Sequence, residues 1–423
     1  MSTWTLAPPT PSDLGDHDVD RVGSHLAGRR VALLVTGGIA AMKAPLVARA
    51  LRRQGAQVVA FASPEALRYV TSETLAWSTV NPVVERLTAA AEHLSDSAPF
   101  DAYLVAPATY NSINKIAAGI ADGVITATVA SALGRMEQGR TAVLIAPTMH
   151  GSLHNRILVE SLQRLHGLGV RIIPPRDAYG KHNLPDEPVL VAEVARAVSR
   201  SPLAGRRVLV TGGSPALPID GVRRIVDRFR GRLGIAIATE LHLRGAAVTL
   251  IHGGGAFPVP AVLHHRIART QDDYRELVHT ELRQRYAAAV FAASGCAYQL
   301  KPHGNGASVD ETAERTLTLL PTSDVVEEVR GAHPDLYLVA CRYRETSSHA
   351  TSWAAFPACW RPAAKRCPVP AITSAGWSPA TASRASWSAS RRSRRRSRIT
   401  WSRRSGRSRY CLPALSMPRA NFH

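Results

Sequence analysis

Residues 103–123 read YLVAPATYNSINKIAAGIADG. Tyr103 to Ala106 is apolar enough for a buried strand. Past Pro107 comes a cluster of hydroxyls and amides, Thr109, Tyr110, Asn111, Ser112 and Asn114, that opens a helix. A buried strand running directly into a helix is the unit of a parallel sheet, because successive parallel strands need a crossover between them. The same alternation extends in both directions. RRVALLVTG (29–37) predicts a strand and KAPLVARALRRQG (43–55) a helix with Gly55 just beyond it; AQVVAFAS (56–63) predicts a strand, and a helix opens at PEALRYV (64–70). Residues 111–133 read as one helix, 139–149 as a strand, 154–169 as a helix and 170–176 as a strand; 180–205 give a loop, a helix and a linker.

At Arg206 the pattern restarts, RRVLVTGG (206–213) nearly repeating RRVALLVTGG (29–38). Helices are expected over 231–245 and 270–286, and strands over 246–254, 287–293 and 336–345. The expected fold class is α/β, two doubly wound, largely parallel Rossmann-like domains at residues 29–200 and 204–346. A disordered or loosely attached leader (1–28) is expected before them and an irregular basic tail (347–423) after them.

The 423 residues carry a formal charge of +20, but the charge is not evenly spread. Past Glu345 there are 15 Lys and Arg and no Asp or Glu, so removing those cations leaves +5 for residues 1–345. The tail also holds five of the seven Trp and shows no hydrophobic periodicity. It reads as a frameshifted or otherwise non-native end, or as a genuine basic arm. Only the tail supports a nucleic-acid binder, and nucleic acid is not the expected partner of residues 29–346. No apolar run approaches the ~20 residues of a membrane span, the acidic N-terminus does not read as a secretory signal, and the five cysteines form no disulfide framework or metal-type pair. A cytoplasmic protein with no resident metal and no membrane partner is expected.

In open parallel sheets, ligands sit outside the carboxyl ends of the strands. Four strand ends in the first domain carry small or hydrogen-bonding groups: Thr36-Gly37-Gly38, Ser63, Pro107 to Asn114, and Pro147 to His150. No acid closes the second strand where a dinucleotide's ribose would be held, which favours a mononucleotide such as FMN. Taken singly, Gly37 and Gly38 are compatible with an ordinary tight turn, Ser63 with a helix cap, and Asn111 and Asn114 with bracing of a helix.

These residues carry a resemblance. VTGGIAAMKA, APATYNSINKIAAGIAD and IAPTMHGSLHNRILVESLQRLHGLGV resemble the flavin-dependent cysteine decarboxylases, specifically the decarboxylase half of the bifunctional phosphopantothenoylcysteine decarboxylase/phosphopantothenate–cysteine ligases of coenzyme A biosynthesis. VLVTGGSPALPIDGVRRI, GRLGIAIATELHLRGAAVTLIHG and LLPTSDVVEEV resemble the ligase half. The resemblance implies a homo-oligomer built on trimers, with FMN at subunit interfaces and a small-molecule substrate. It assigns Gly37, Gly38, Ser63, Thr109, Tyr110 and Asn111 to FMN, and His93 to the active-site histidine. It assigns His150 to catalysis and Met149 and Lys181 to the substrate. FMN is implied to oxidise the cysteine moiety of 4′-phosphopantothenoylcysteine, after which carbon dioxide leaves and reduction yields 4′-phosphopantetheine. In the second half, Gly212, Gly213, Asp220, Arg223, Asp227, Gly231 and Gly234 are assigned to a CTP site working with Mg2+.

Three departures from the family pattern stand out. The family's P-A-M-N reads Pro147-Thr148-Met149-His150, with His in place of the substrate-contacting Asn. The stretch PPRDAYGKHNLPDE lacks the cysteine that bacterial relatives use as a proton donor; Lys181 and His182 are the candidates to replace it. The ligase motif N-x-S-S-G-K-M-G reads DRFRGRLG, and a lysine-rich segment is absent between Lys301 and Thr316. CTP-dependent ligation is implied by the second domain, but these departures weigh against turnover there. The alternative reading is a catalytically impaired flavin-binding paralogue acting through protein–protein contact.

Overall fold

The computed structural model describes residues 8–94, 97–220, 222–254, 257–293, 298–300 and 316–341, so the tail lies outside the described residues. The first domain runs β1 (Arg30–Val35), α1 (Ala44–Arg53), β2 (Gln57–Ala62), α2 (Ser72–Thr79), β3 (Ala102–Ala108), α3 (Tyr110–Ala117), α4 (Val124–Glu137), β4 (Ala142–Pro147), β5 (Met149–His150), α5 (Arg156–Gly167), β6 (Arg171–Ile172), β7 (Arg176–Ala178), β8 (Lys181–Asn183) and α6 (Glu187–Ala197). Five of these strands form an all-parallel sheet in the order β2-β1-β3-β4-β6. The strands lack polar alternation because both faces are covered: every residue of β3 is buried, as is every residue of β1 after Arg30. Val31, Leu33 and Val35 face one core, with Val47 and Leu51 of α1 and Leu190 and Val194 of α6. Ala32 and Leu34 face the other, with Ile113 of α3, Val129 of α4 and Leu158 and Leu165 of α5. The first sheet is therefore doubly wound, its order reversing between β1 and β3.

The second domain runs β9 (Arg207–Gly213), β10 (Leu217–Pro218), β11 (Arg224–Ile225), α7 (Arg232–Leu243), β12 (Ala247–Gly253), β13 (His264–Ala268), α8 (Gln271–Leu282), β14 (Ala288–Phe291), β15 (Tyr298–Leu300), β16 (Leu319–Pro321), α9 (Val325–Ala332) and β17 (Tyr337–Ala340). Its parallel sheet has the order β13-β12-β9-β14-β17. The repeated VTGG stretches thus begin sheets of different strand order, with one more strand beyond β12 than beyond β2.

The structure departs locally from the expected elements. The single helix expected over 111–133 is two helices. Gly119, at φ +75°, ends α3, and α4 begins after Gly123, whose N–H donates to Thr126 Oγ1 at 3.0 Å. Lys115 and Asp122 bridge the break at 2.5 Å. The helix expected to open at Pro64 is a 3-10 turn over Ala66–Arg68. The α-helix starts later, where Thr71 Oγ1 accepts from Thr74 N at 3.2 Å. Residues 176–183 form a β7–β8 hairpin joined to β5, not a loop.

Residues 17–28, the end of the segment read as a leader, are attached to the body. Leu26 is fully buried, and its N–H donates to Gln54 O at 2.9 Å. His25 Nε2 lies 3.2 Å from Glu240 Oε2, and Arg244 Nε donates to Glu240 Oε1 at 2.7 Å. The hydrogen bond from His25, aided by Arg244 and opposed by burial, holds the Glu240 carboxyl down to about 2. A carboxyl lowered on folding stabilises above its unfolded value, and that stability is lost as pH falls from about 4.5 through about 2. Glu240→Gln is expected to lower the Tm at neutral pH and to narrow the gap in Tm between pH 7 and pH 3. An unchanged gap in thermal melts would refute this role for Glu240.

Candidate functional site

The carboxyl ends of β1, β2, β3 and β4 meet at one edge of the first sheet, tied by short hydroxyl contacts. Thr36, 1 % exposed, donates from Oγ1 to Pro107 O at 2.8 Å and accepts from Thr109 N at 3.1 Å. Thr109 Oγ1 lies 3.1 Å from Ser112 Oγ. Thr36 therefore fixes the spacing of the two turns flanking the switch point. A Cβ on Gly37 would meet Glu65 Cβ at 2.2 Å and the Glu65 backbone carbon at 3.0 Å; one on Gly38 would meet Thr109 Cγ2 at 3.2 Å. Gly37 is thus required where the turn after β2 closes against the turn after β1, and Gly38 sits tightly against the Thr109 side chain of the turn after β3.

Ser63 Oγ accepts from Ala66 N at 3.1 Å, the capping role, while its own proton stays available to a ligand. Asn111 is exposed at the start of α3. Tyr110 is held through Asn155, whose Nδ2 donates to the Tyr110 hydroxyl at 3.2 Å; Asn155 also caps α5. Glu65, exposed, is the sole carboxylate in these four turns, and sequence reasoning missed it.

Met149 and His150 form β5, opposite His182 and Lys181 of β8. Because successive strand residues alternate faces, Met149, His182 and Asp177 share one face and His150 and Lys181 the other. The two residues assigned to substrate, Met149 and Lys181, are therefore on opposite faces of the hairpin. His150 is exposed; its Nδ1 accepts from Ser152 N at 3.2 Å, which places the proton of the neutral ring on Nε2.

Among the described residues His93 forms no hydrogen bond with these turns in its own chain. It lies between β2 and β3, next to Leu94, whose carbonyl accepts from Arg135. Arg135 is in the last turn of α4, the end that leads toward the start of β4. His93 Nδ1 is buried and has no partner among the described residues.

In the second domain the assigned glycines converge at the sheet's switch point, beside β9. A Cβ on Gly234 would meet Gly212 Cα at 2.5 Å, which brings the start of α7 against the end of β9. Gly213, at φ +80°, would place a Cβ 2.3 Å from Gly253 O, and Gly231, at φ +84°, would place one 2.3 Å from His252 Nε2. Gly213→Ala is expected to cost about 3 kcal/mol through left-handed strain and the backbone collision, seen as a lower urea midpoint at unchanged slope. An unaltered midpoint would contradict it.

Asp220 accepts from Val222 N at 2.8 Å and Arg223 N at 2.6 Å, and Arg223 lies 3.8 Å from its carboxylate. Asp227 N donates to Ser214 Oγ at 2.9 Å. His252, missed by the sequence, is 3 % exposed, and its Nε2 lacks a partner among the described residues. Burial, then the neighbouring His265, lowers its pKa. The segment between Lys301 and Thr316 lies almost wholly outside the described residues. Among the described residues no cluster of metal-ligand side chains occurs, and no helix is long and apolar enough to cross a membrane.

Two largely parallel sheets follow one another along the chain, each with close-packed glycines where its strand order reverses, and together they define an α/β protein. Residues 20–199 match the family described as Flavoprotein, and residues 203–352 match the DNA/pantothenate metabolism flavoprotein C-terminal domain. The coenzyme A biosynthesis bifunctional protein CoaBC of Thermococcus kodakarensis is 33% identical over 321 residues, covering 74% of this chain and 78% of that protein. The chain belongs to this family of bifunctional coenzyme A biosynthesis proteins. Among solved structures, the FMN-dependent cysteine decarboxylase SpaF aligns at 24% identity with a TM-score of 0.36, covering 41% of this chain and 99% of that one. A PPC decarboxylase mutant complexed with pantothenoylaminoethenethiol aligns at 22% identity with a TM-score of 0.32, covering 39% and 96%.

Proposed function

We propose that the chain is a flavin-dependent decarboxylase of coenzyme A biosynthesis, converting 4′-phosphopantothenoylcysteine to 4′-phosphopantetheine at the carboxyl edge of its first sheet. The observation that carries this reading is the set of turns joined by Thr36 and closed by Gly37 and Gly38 in a chain of this family. The residues present fit FMN. Ser63 keeps a hydroxyl donor, Asn111 is exposed, and Gly37 and Gly38 let the turns after β1, β2 and β3 close together so that these groups share one edge. When bound, FMN supplies the two-electron oxidation of the substrate's thiol-bearing carbon, which makes the adjacent carboxylate easy to lose.

The protein's own residues then position and protonate. Thr109, Tyr110 and Asn111 orient the cofactor, with Tyr110 braced by Asn155. His150, its Nε2–H directed by the Nδ1 contact, is suited to donate a hydrogen bond to the substrate carboxylate. Met149 and Lys181 stand on opposite faces of the hairpin, so of the two Lys181 is the substrate contact, while the buried Met149 packs behind it. His93 handles a proton at the active centre of a neighbouring copy, in a homo-oligomer built on trimers.

The groove between α3 and α5 supports self-association. It measures about 570 Å³ and includes Ile120, 44% exposed, and Ile157, 60% exposed. Asn114 Oδ1, buried and unpartnered among the described residues, faces the same groove. The second domain carries the ligase-like site, where Gly212, Gly213, Gly231 and Gly234 shape a crevice for CTP with Mg2+, and Asp220, Arg223 and Asp227 flank it. A cytoplasmic location accords with a biosynthetic role. Incubation of purified chain with 4′-phosphopantothenoylcysteine should release carbon dioxide; a flavin-bound chain that releases none would overturn the decarboxylase reading.

A further inference from the structure

The hairpin that follows the first sheet holds a side-chain chain of three titratable groups. Asp177 Oδ1 lies 2.6 Å from His182 Nδ1, and His182 Nε2 lies 2.7 Å from His154 Nδ1. The two imidazoles are tilted by 53° with centroids 4.9 Å apart. These groups line a concavity of about 580 Å³ with Gly151, Gly180 and Lys181. The backbone around it is fixed: Gly151 N donates to Gly180 O at 3.0 Å, and Tyr179 and Gly180 both take positive φ at the hairpin tip.

With Asp177 ionised and both rings neutral, hydrogen-bond order assigns the tautomers. Ionised Asp177 can only accept, so His182 donates from Nδ1. Neutral His182 then accepts at Nε2, so His154 donates from Nδ1. The one open lone pair of the relay is therefore His154 Nε2, on an exposed residue that lines the concavity. A metal ion does not explain this arrangement. Two histidine nitrogens on zinc, each at about 2.0–2.1 Å in tetrahedral geometry, stand more than 3 Å apart, not 2.7 Å with the rings facing each other. The other charged groups nearby are Lys181, which also lines the concavity, His150 across the β5–β8 pair, Arg176 paired with Asp186 at 3.9 Å, and Arg156 paired with Glu160 at 2.7 Å.

We propose that Asp177, His182 and His154 form a proton relay whose acid is His154 Nε2–H, serving a substrate that develops negative charge on sulfur. Taking the decarboxylase reading above, in which bound FMN would first accept two electrons and turn the substrate's C–SH into C=S, the carbon–carboxylate bond breaks, carbon dioxide leaves, and the electron pair moves through a new C=C bond to rest on sulfur. The His154 Nε2–H bond then breaks and an S–H bond forms, returning the imidazolium to neutral. Asp177 stays ionised throughout, and the exposed ring reloads from solvent. Asp177 and His182 are positioning residues; His154 alone meets the substrate. Asn155, adjacent to His154, bonds Tyr110 and so links the relay to the edge of the first sheet.

The test combines ring-nitrogen NMR of the full chain labelled with 15N-histidine with steady-state kinetics. Resonances are assigned through His154→Gln and His182→Gln. The expected result is an Nδ1–H tautomer in both neutral rings, with the His154 tautomer shifting in His182→Gln. Both variants should lose about 10²-fold or more in kcat with bound flavin and KM nearly unchanged, and Asp177→Glu should retain more activity than Asp177→Asn. An Nε2–H tautomer at His154, or full kcat in His182→Gln, overturns the relay. So does tight zinc binding that is lost in His154→Gln. If wild-type chain releases no carbon dioxide, the decarboxylase reading fails separately, and the tautomers still decide whether the relay exists.

Discussion

His93→Asn is expected to cut carbon dioxide release by about 10³-fold or more while the chain stays folded and keeps its flavin. An imidazole can give and accept a proton, whereas an amide of similar size cannot change its protonation state. Among the described residues His93 makes no hydrogen bond to the four turns in its own chain, so its loss should leave their geometry, and the flavin's visible absorbance, unaltered. If activity survives the substitution, the assignment of His93 falls. The cross-subunit reading makes a sharper forecast. Mixing the His93→Asn chain with a chain that cannot hold flavin should restore activity, because one partner supplies the imidazole and the other the cofactor. Mixed assemblies with no recovery would place His93 in its own chain's site or outside catalysis.

Gly37→Ala is expected to weaken flavin binding. The new Cβ would stand 2.2 Å from Glu65 Cβ and 3.0 Å from the Glu65 backbone carbon. Neither is the free end of a flexible side chain, so the turn after β2, which carries Ser63, must move. Overpacking of this kind costs about 1–3 kcal/mol. Most of that strain should be released by opening the turn, so FMN affinity should fall by up to about 10²-fold with the fold retained. Glu65→Gly in the same chain removes the closest contact and should recover part of the affinity. Equal FMN affinity in wild type and Gly37→Ala would show that these turns do not hold the cofactor.

Much of the fold was legible because buried parallel strands are written as short apolar runs. RRVALLV, AQVVAFA and YLVAPA needed no long-range information, and neither did the strand-to-helix order. The misplaced boundaries had local causes. Between Asn111 and Leu133 the apolar spacing continues smoothly through Gly119 and Gly123, and only the backbone shows that these glycines end one helix and start another. β13 was missed because four of its five residues are exposed and three of them are His or Arg, the pattern of an edge strand. α9, capped by Asp324, was likewise passed over between apolar strands.

The site was legible where chemistry is local. Gly37, Gly38, Ser63 and the Thr109 turn sit at the sheet edge where strand ends had to be. Thr36 was quoted with that turn but not singled out, since its role is a bond across 73 residues to Thr109. Asp177, His182 and His154 come together only when β8 pairs with both β5 and β7, and nothing in their spacing announces it. His252 is similar: a histidine at a strand end reads as ordinary until Gly231 is seen packed against its ring.

The most direct test of the central claim is a titration of purified wild-type chain with FMN, followed by visible absorbance and by thermal melting. Binding at the edge of the first sheet predicts a yellow chain saturating at one FMN each, with stability rising by about 2.7 kcal/mol at a free concentration a hundredfold above the dissociation constant. A chain that stays colourless, takes up no added FMN and melts at the same temperature with and without it would contradict the account.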